Sequence, residues 1–206
     1  MPLRVPPGKA GRLWLIRRLA VAERGHDLLD RKRQALLAHE RRLRAEADAA
    51  HRNFVEAAAE AELWMPRAVL AESESRVDHF ASHVQERADA RISWRRLMGV
   101  RIPAVAGVDN PAPPDLAGLG AGSALLSATA AHRRLAAAAV EEAASGAAAD
   151  RVSAELETVA RRVRALEQRW IPRERAALAA LELALEESER EEAARIRWLA
   201  DRRATD

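Results

Sequence analysis

Residues 15–64 read LIRRLAVAERGHDLLDRKRQALLAHERRLRAEADAAHRNFVEAAAEAELW. Marking Leu15, Leu19, Ala22, His26, Leu29, Arg33, Leu36, Glu40, Leu43, Ala47, Ala50, Phe54, Ala57, Ala61 and Trp64 gives a spacing that alternates four and three without a break. Seven heptads of this kind put one stripe of side chains along one side of a helix. Such a stripe requires a partner helix and winds left-handedly around it. Gly25 is the only Gly or Pro inside the stretch. The polar members His26, Arg33 and Glu40 are expected to fix register, because a polar core group is tolerated only opposite a suitable neighbour.

A second seam answers the first. Asp150 can cap a helix in which Val152, Leu156, Val159, Val163, Leu166 and Trp170 again follow heptad spacing. Pro172 interrupts it, and beyond Pro172 the apolar frame moves by one position to Ile171, Leu178, Leu181, Leu185, Ser188 and Leu199. The expected fold class is therefore all-α: a long antiparallel two-helix coiled coil made by the N- and C-terminal helices, with a short β-hairpin and helical foot in the middle. In that pairing Glu182, Glu186, Glu187, Glu189, Glu191 and Glu192 are expected beside Arg24, Arg31, Lys32 and Arg33.

Composition agrees with paired helices. Of 206 residues 49% are hydrophobic, but alanine supplies much of that figure; aromatics are 3% and charged residues 32%. The net charge is only +3, with residues 1–50 at +6 and residues 111–160 at −3, so the N-terminal end is the basic one. There is no cysteine, which removes disulfides and thiolate metal sites and fits an intracellular protein. Charged residues break the apolar runs before they reach the roughly 20 residues that span a bilayer, and MPLRVPPGKAGR at the start lacks the apolar core of a signal peptide.

The middle of the chain is organised around its breakers. The reading is of one elongated domain over 1–206. Residues 1–11, rich in Pro and Gly, form a tail. A long helix covers 12–97, kinked at Pro66 and continued by Val77, Phe80, Val84, Arg87, Arg91 and Trp94. That helix would measure about 130 Å at roughly 1.5 Å per residue. Residues 98–122, holding Pro103, Pro111, Pro113 and Pro114, form a hairpin and loop, with Val100 to Ile102 and Val105 to Val108 as its short β runs. A short alanine-rich helix spans 123–145 and ends at Ser145-Gly146, and the C-terminal helix spans 150–204.

Chemistry has little to rest on. No P-loop, dinucleotide-binding glycine pattern or H-E-x-x-H occurs, and no catalytic, cofactor-binding or metal-binding residues are assigned. His79 and His83 stand four apart beside Asp78, but without further ligands they read as solvated. The clusters Arg31-Lys32-Arg33, Arg41 to Arg44 and Arg161 to Arg164 are interleaved with Asp27, Asp30, Glu40, Glu46 and Glu167, unlike a phosphate-tracking stripe. Trp14, Trp64, Trp94, Trp170 and Trp198 read as core or partner-facing anchors.

Three blocks carry a resemblance. They are A-x-R-G-H-x-L-L-x-x-K-R at 22–33, R-R-V-x-A-L-E-x-x-x-I-P at 161–172 and L-E-E-x-E-R-E-E at 185–192, with the turn MGVRIP at 98–103 between. In this order they resemble the D subunit of the V-type or A-type rotary ATPases, over nearly the whole chain. Arg164 departs from that pattern, where Asn is usual, as does Pro7-Gly8, where Pro-Thr is usual. The resemblance implies a non-catalytic central rotor shaft, or central stalk, that couples ATP hydrolysis or synthesis to proton or sodium transport. It further implies termini inside a hexamer of A and B catalytic subunits, and a middle that binds the F subunit and a funnel-like membrane-side subunit. No cofactor is implied. The place implied is peripheral, on the cytoplasmic face of the membrane. The residues alone also suit a stand-alone coiled-coil scaffold or a basic nucleic-acid-binding helical hairpin.

Overall fold

The computed structural model describes residues 5–83, 87–110 and 115–205. In chain order these form α1 (Gly8–Glu72), α2 (Glu74–Ser82), β1 (Asp89–Leu97), β2 (Val100–Asp109), α3 (Ser123–Ala165), a π-helical turn (Leu166–Trp170) and α4 (Ile171–Thr205). Two compact units result, one from the chain's two ends, up to Gln34 and from Glu157 onward, the other from Ala35–Leu156.

None of the fifteen marked seam positions between Leu15 and Trp64 is exposed, and Leu15 and Leu36 are completely buried. The seam is thus the packed face of α1. In the first unit its partner is α4, fastened by Lys9 to Glu189 (3.2 Å), Arg12 to Glu182 (2.8 Å), Arg18 to Glu174 (2.8 Å) and Glu23 to Arg175 (2.7 Å). The start of α1 meets the later part of α4 and residues further along α1 meet its beginning, so the helices run antiparallel, each pair adding to 192–198. In the second unit α1 pairs with α3 by the same rule, through Arg44 and Asp150, His51 and Glu142, and Glu60 and Arg134.

This register corrects the expected charge pairing. Glu182 and Glu189 meet Arg12 and Lys9 rather than the cations at 24–33, because pairs adding to 192–198 set that stretch opposite residues near 159–174, about twenty positions earlier on the returning helix. Exposed charges select a register only weakly, and the apolar match decides it. The polar seam members also behave differently from expectation: Arg33 binds Asp30, Glu40 binds Arg44 and His26 lies beside Asp27, all on their own helix.

Element bounds differ from the sequence reading in four places. Helix α1 starts at Gly8, earlier than residue 12, since Pro6 and Pro7 precede it and a proline's missing N–H costs nothing at a helix start. It passes through Pro66, and its break falls at Ser73, whose φ is +71°. Helix α3 is continuous for 43 residues through Ser145 and Gly146. Ser145 Oγ donates to the Glu141 carbonyl and Ala144, Ala148, Ala149 and Val152 are buried, so packing and alanine propensity outweigh the roughly 1 kcal/mol cost of one glycine. Asp150, expected to cap, lies inside this helix and pairs with Arg44.

The largest correction is at 87–97, read as the end of the first helix. Its residues 89–97 form β1, antiparallel to β2, with Leu97 opposite Val100. Met98 (φ +50°) and Gly99 (φ +93°) are the two connecting residues. Two successive positive φ values define the tight turn whose twist suits a hairpin. The hairpin therefore spans 89–109 instead of lying within 98–122. A bulge between Ser93 and Trp94 leaves Ala104 without a strand partner, next to Pro103, which has no N–H to donate. Val84, Pro111, Pro113 and Pro114, which the sequence reading used, lie outside the described residues.

The end of α1, α2 and the start of α3 enclose Ala68, Phe80, Leu116, Leu125 and Ala128, with Trp64 and Val77 packed against them. Glu72 seals this cluster: one oxygen accepts the Gly122 N–H (2.5 Å) and the other binds Arg76 (3.1 Å). Among the described residues no helix is long and apolar enough to cross a membrane.

Candidate functional site

The most constrained side chain in the first unit is Glu174, 1% exposed. Its Oε1 accepts a hydrogen bond from Arg18 Nε at 2.8 Å, while Oε2, also buried, has no hydrogen-bond partner among the described residues. The Arg18 guanidinium lies over two indole faces, 4.9 Å from the Trp14 ring and 4.7 Å from that of Trp170. A buried carboxylate requires a cation in contact, and the aromatic faces hold that cation by their quadrupoles.

The backbone explains how Glu174 reaches this position. In the π turn the Ile171 N–H donates to the Leu166 carbonyl, five residues back, which inserts one residue into the helix. That insertion is the one-position shift of the apolar frame at Pro172. The wider turn also relieves the clash a proline ring makes with the carbonyl four residues before it. After the insertion the seam continues as Ile171, Glu174, Leu178, Leu181 and Leu185, none of them exposed. Sequence reasoning missed Glu174 and Arg18, although the unfilled gap of seven between Ile171 and Leu178 marks where a polar core residue sits.

The second candidate is the hairpin. Trp94 is 40% exposed and is flanked by Arg101 (4.8 Å) and by Arg151 of α3 (4.9 Å). Arg151 Nη1 also donates to the Arg101 carbonyl (3.3 Å), tying β2 to α3. Arg91 and Asp109 are ion-paired at the open end. Every residue of β1 before Leu97 is exposed, and Ile92 and Met98 present apolar surface there.

The remaining candidates come to little. His83 Nδ1 donates to the His79 carbonyl (2.8 Å), and the two rings meet edge-on at 4.7 Å. No group of three or more His, Cys, Asp or Glu suited to a metal occurs among the described residues. The basic clusters carry their own relief: Arg33 to Asp30, Arg42 to Glu46, Arg44 to Glu40 and Arg161 to Glu157. Hydrogen bonding from Arg33 holds the Asp30 carboxyl below the usual carboxylate range, with help from Gln34.

Fold and sites together define a protein of antiparallel paired helices, clamped by a buried ion pair and carrying a β hairpin. The chain belongs to the ATP synthase D-subunit family, whose model matches residues 13–201, a central stalk component of A/V-type rotary ATPases. It is similar to the D subunit of the A-type ATP synthase of Pyrococcus furiosus and to that of Pyrococcus horikoshii. Each is 29% identical over 192 residues, covering 92% of this chain and 90% of the relative. The D subunit of the A-type ATP synthase of Pyrococcus abyssi is 29% identical over 198 residues with the same coverage.

Proposed function

We propose that the chain works as the rotating shaft of its ATPase or ATP synthase and forms no bond itself. Its two ends insert into a hexamer of A and B catalytic subunits. Its middle, with the β hairpin, binds the F subunit and a funnel-like subunit on the membrane side. An asymmetric shaft inside a threefold ring favours a different conformation at each catalytic site, so its rotation changes nucleotide affinities in sequence. The whole acts at the cytoplasmic face of the membrane, which the chain meets only through its partners.

The observation that carries this reading is the constant antiparallel register of α1 with the returning helix. A part that transmits torque must resist slippage between its helices, and inter-helical ion pairs repeated along both units provide that. Co-expression with the A, B and F subunits, followed by mass measurement of the purified assembly, tests it. One copy per hexamer is expected; several copies, or none, would refute the shaft assignment.

A further inference from the structure

We infer that the outer face of α1 between Trp14 and Arg31 is a docking surface for an acidic amphipathic helix of another subunit. This deepens the reading of the chain as part of a larger complex and rests on it. Helix α1 carries a second stripe besides its buried seam. Trp14, Arg17, Val21, Arg24, Leu28 and Arg31 follow each other at three and four residues, alternating apolar and arginine. Arg17, Val21, Arg24, Leu28 and Arg31 lie on the face turned away from the seam, while Trp14, half-buried against Arg18, stands at its border. Val21 is 61% and Leu28 66% exposed, and the three arginines are exposed as well. In a helix that needs only one partner such positions are ordinarily polar or alanine, whereas an apolar row rimmed by charge marks an interaction surface.

Two independent observations say what covers it. The first is charge. Arg12, Arg18 and Arg33 in the same unit are ion-paired, but Arg17 and Arg31 make no ion pair among the described residues, and Arg24 reaches only the Ala20 carbonyl. The second is Gly25. A glycine within a helix lowers its stability, yet a Cβ built on Gly25 meets nothing within 4 Å in this chain. Nothing internal requires it. Val21, Arg24, Gly25 and Leu28 stand at i, i+3, i+4 and i+7, the four corners of a hole that receives one knob of a neighbouring helix. A missing Cβ at one corner lets that helix approach closely, and guanidiniums every seventh residue select carboxylates at the same interval. A lipid surface fits less well, because the stripe is a narrow row rather than the broad apolar face that lies in a bilayer interface.

The test co-expresses the full chain with the other subunits of its complex and quantifies assembly by affinity purification. The variants are Arg17→Glu/Arg24→Glu/Arg31→Glu, Val21→Ser/Leu28→Ser and Gly25→Leu. All should keep the helicity of the isolated chain, and Gly25→Leu should raise its Tm, while assembly falls at least tenfold. A photo-crosslinker at Leu28 should capture a helix of another subunit with Asp or Glu at heptad spacing. Variants that assemble like the wild type overturn the proposal, as does a crosslink to a second copy of this chain. So does arginine-dependent sedimentation of the chain with phosphatidylserine vesicles. Should the wild type itself fail to join those subunits, the functional reading falls. The surface is then decided by the free chain and a synthetic helical peptide with Glu and Leu alternating at heptad spacing, where lack of arginine-dependent binding overturns it.

Discussion

At the scale of single residues, Arg18 and Glu174 show how a buried charge is tolerated. Glu174 is nearly inaccessible, so removing its cation strands a carboxylate in the seam, which costs roughly 3–5 kcal/mol when a buried pair is broken from one side. Arg18 retains 34% of its side-chain exposure, so Arg18→Met should fall at the low end, read from urea unfolding followed by circular dichroism. Replacing both, as Arg18→Met/Glu174→Met, should recover most of the loss, since two apolar side chains leave nothing unpaired. If the double variant is less stable than the single one, the pair contributes more by attraction than the unpaired carboxylate costs. Asp30 gives a smaller, pH-dependent case. Its folded-state pKa lies below the ordinary value of 3.8 because Arg33 binds the ionised form, so the support it lends α1 is present above that value and is lost as pH falls through the lowered one. Helicity titrated downward from pH 5 should therefore drop differently in Asp30→Asn, whose curve lacks this component; identical curves would show that the pair lends the helix nothing.

At the scale of elements, the π turn makes the sharpest claim, because an inserted residue can be removed again. Deleting Gln168, which is exposed, should turn residues 163–174 into regular α-helix while Val163, Ile171, Glu174 and Leu178 keep their facing. Stability should be preserved. Deleting Glu157, equally exposed but inside regular helix, rotates Val159 and Val163 out of the core and should lower Tm by several degrees. Equal losses for the two deletions would mean that the π turn is not the site of the phase change. Gly146 offers a second check: it sits within α3 with open space where a Cβ would be, and Gly146→Ala should stabilise by about 0.5–1 kcal/mol. The elements were legible in the sequence to different degrees for physical reasons. Heptad seams were readable because an apolar repeat sustained over many turns has no other solution. The strand at 89–97 was not, since Arg91 and Trp94 also fit three-four spacing, and period two is visible only beside its partner β2. The end placed at Ser145-Gly146 failed because a single breaker is weak against tertiary packing, and Glu174 was passed over because a charged residue in a seam looks like a gap.

At the scale of the whole molecule, the hairpin is the segment whose removal should separate folding from function. It contributes no residue to the apolar cluster of Phe80 and Leu125, although Ile102 of β2 is itself completely buried. It is tied to α3 through Arg151, which reaches Trp94 and the Arg101 carbonyl. An isolated two-stranded hairpin is marginal in water, yet this one leaves β1 exposed before Leu97 and shows Ile92, Trp94 and Met98 at the surface, an arrangement a partner would complete. The strands pair along their full length, so the informative excision is residues 89–109 replaced by a short Gly-Ser linker rather than one strand alone. The helicity of the isolated chain should then fall by no more than the missing residues dilute it, and its unfolding midpoint should stay within a few degrees. Reconstituted with its partner subunits, the same variant should show a changed ATPase rate and weaker coupling to ion transport. Collapse of the helices would make the hairpin part of the folding core, and a complex with unaltered rate and coupling would leave it no role in contact with partners.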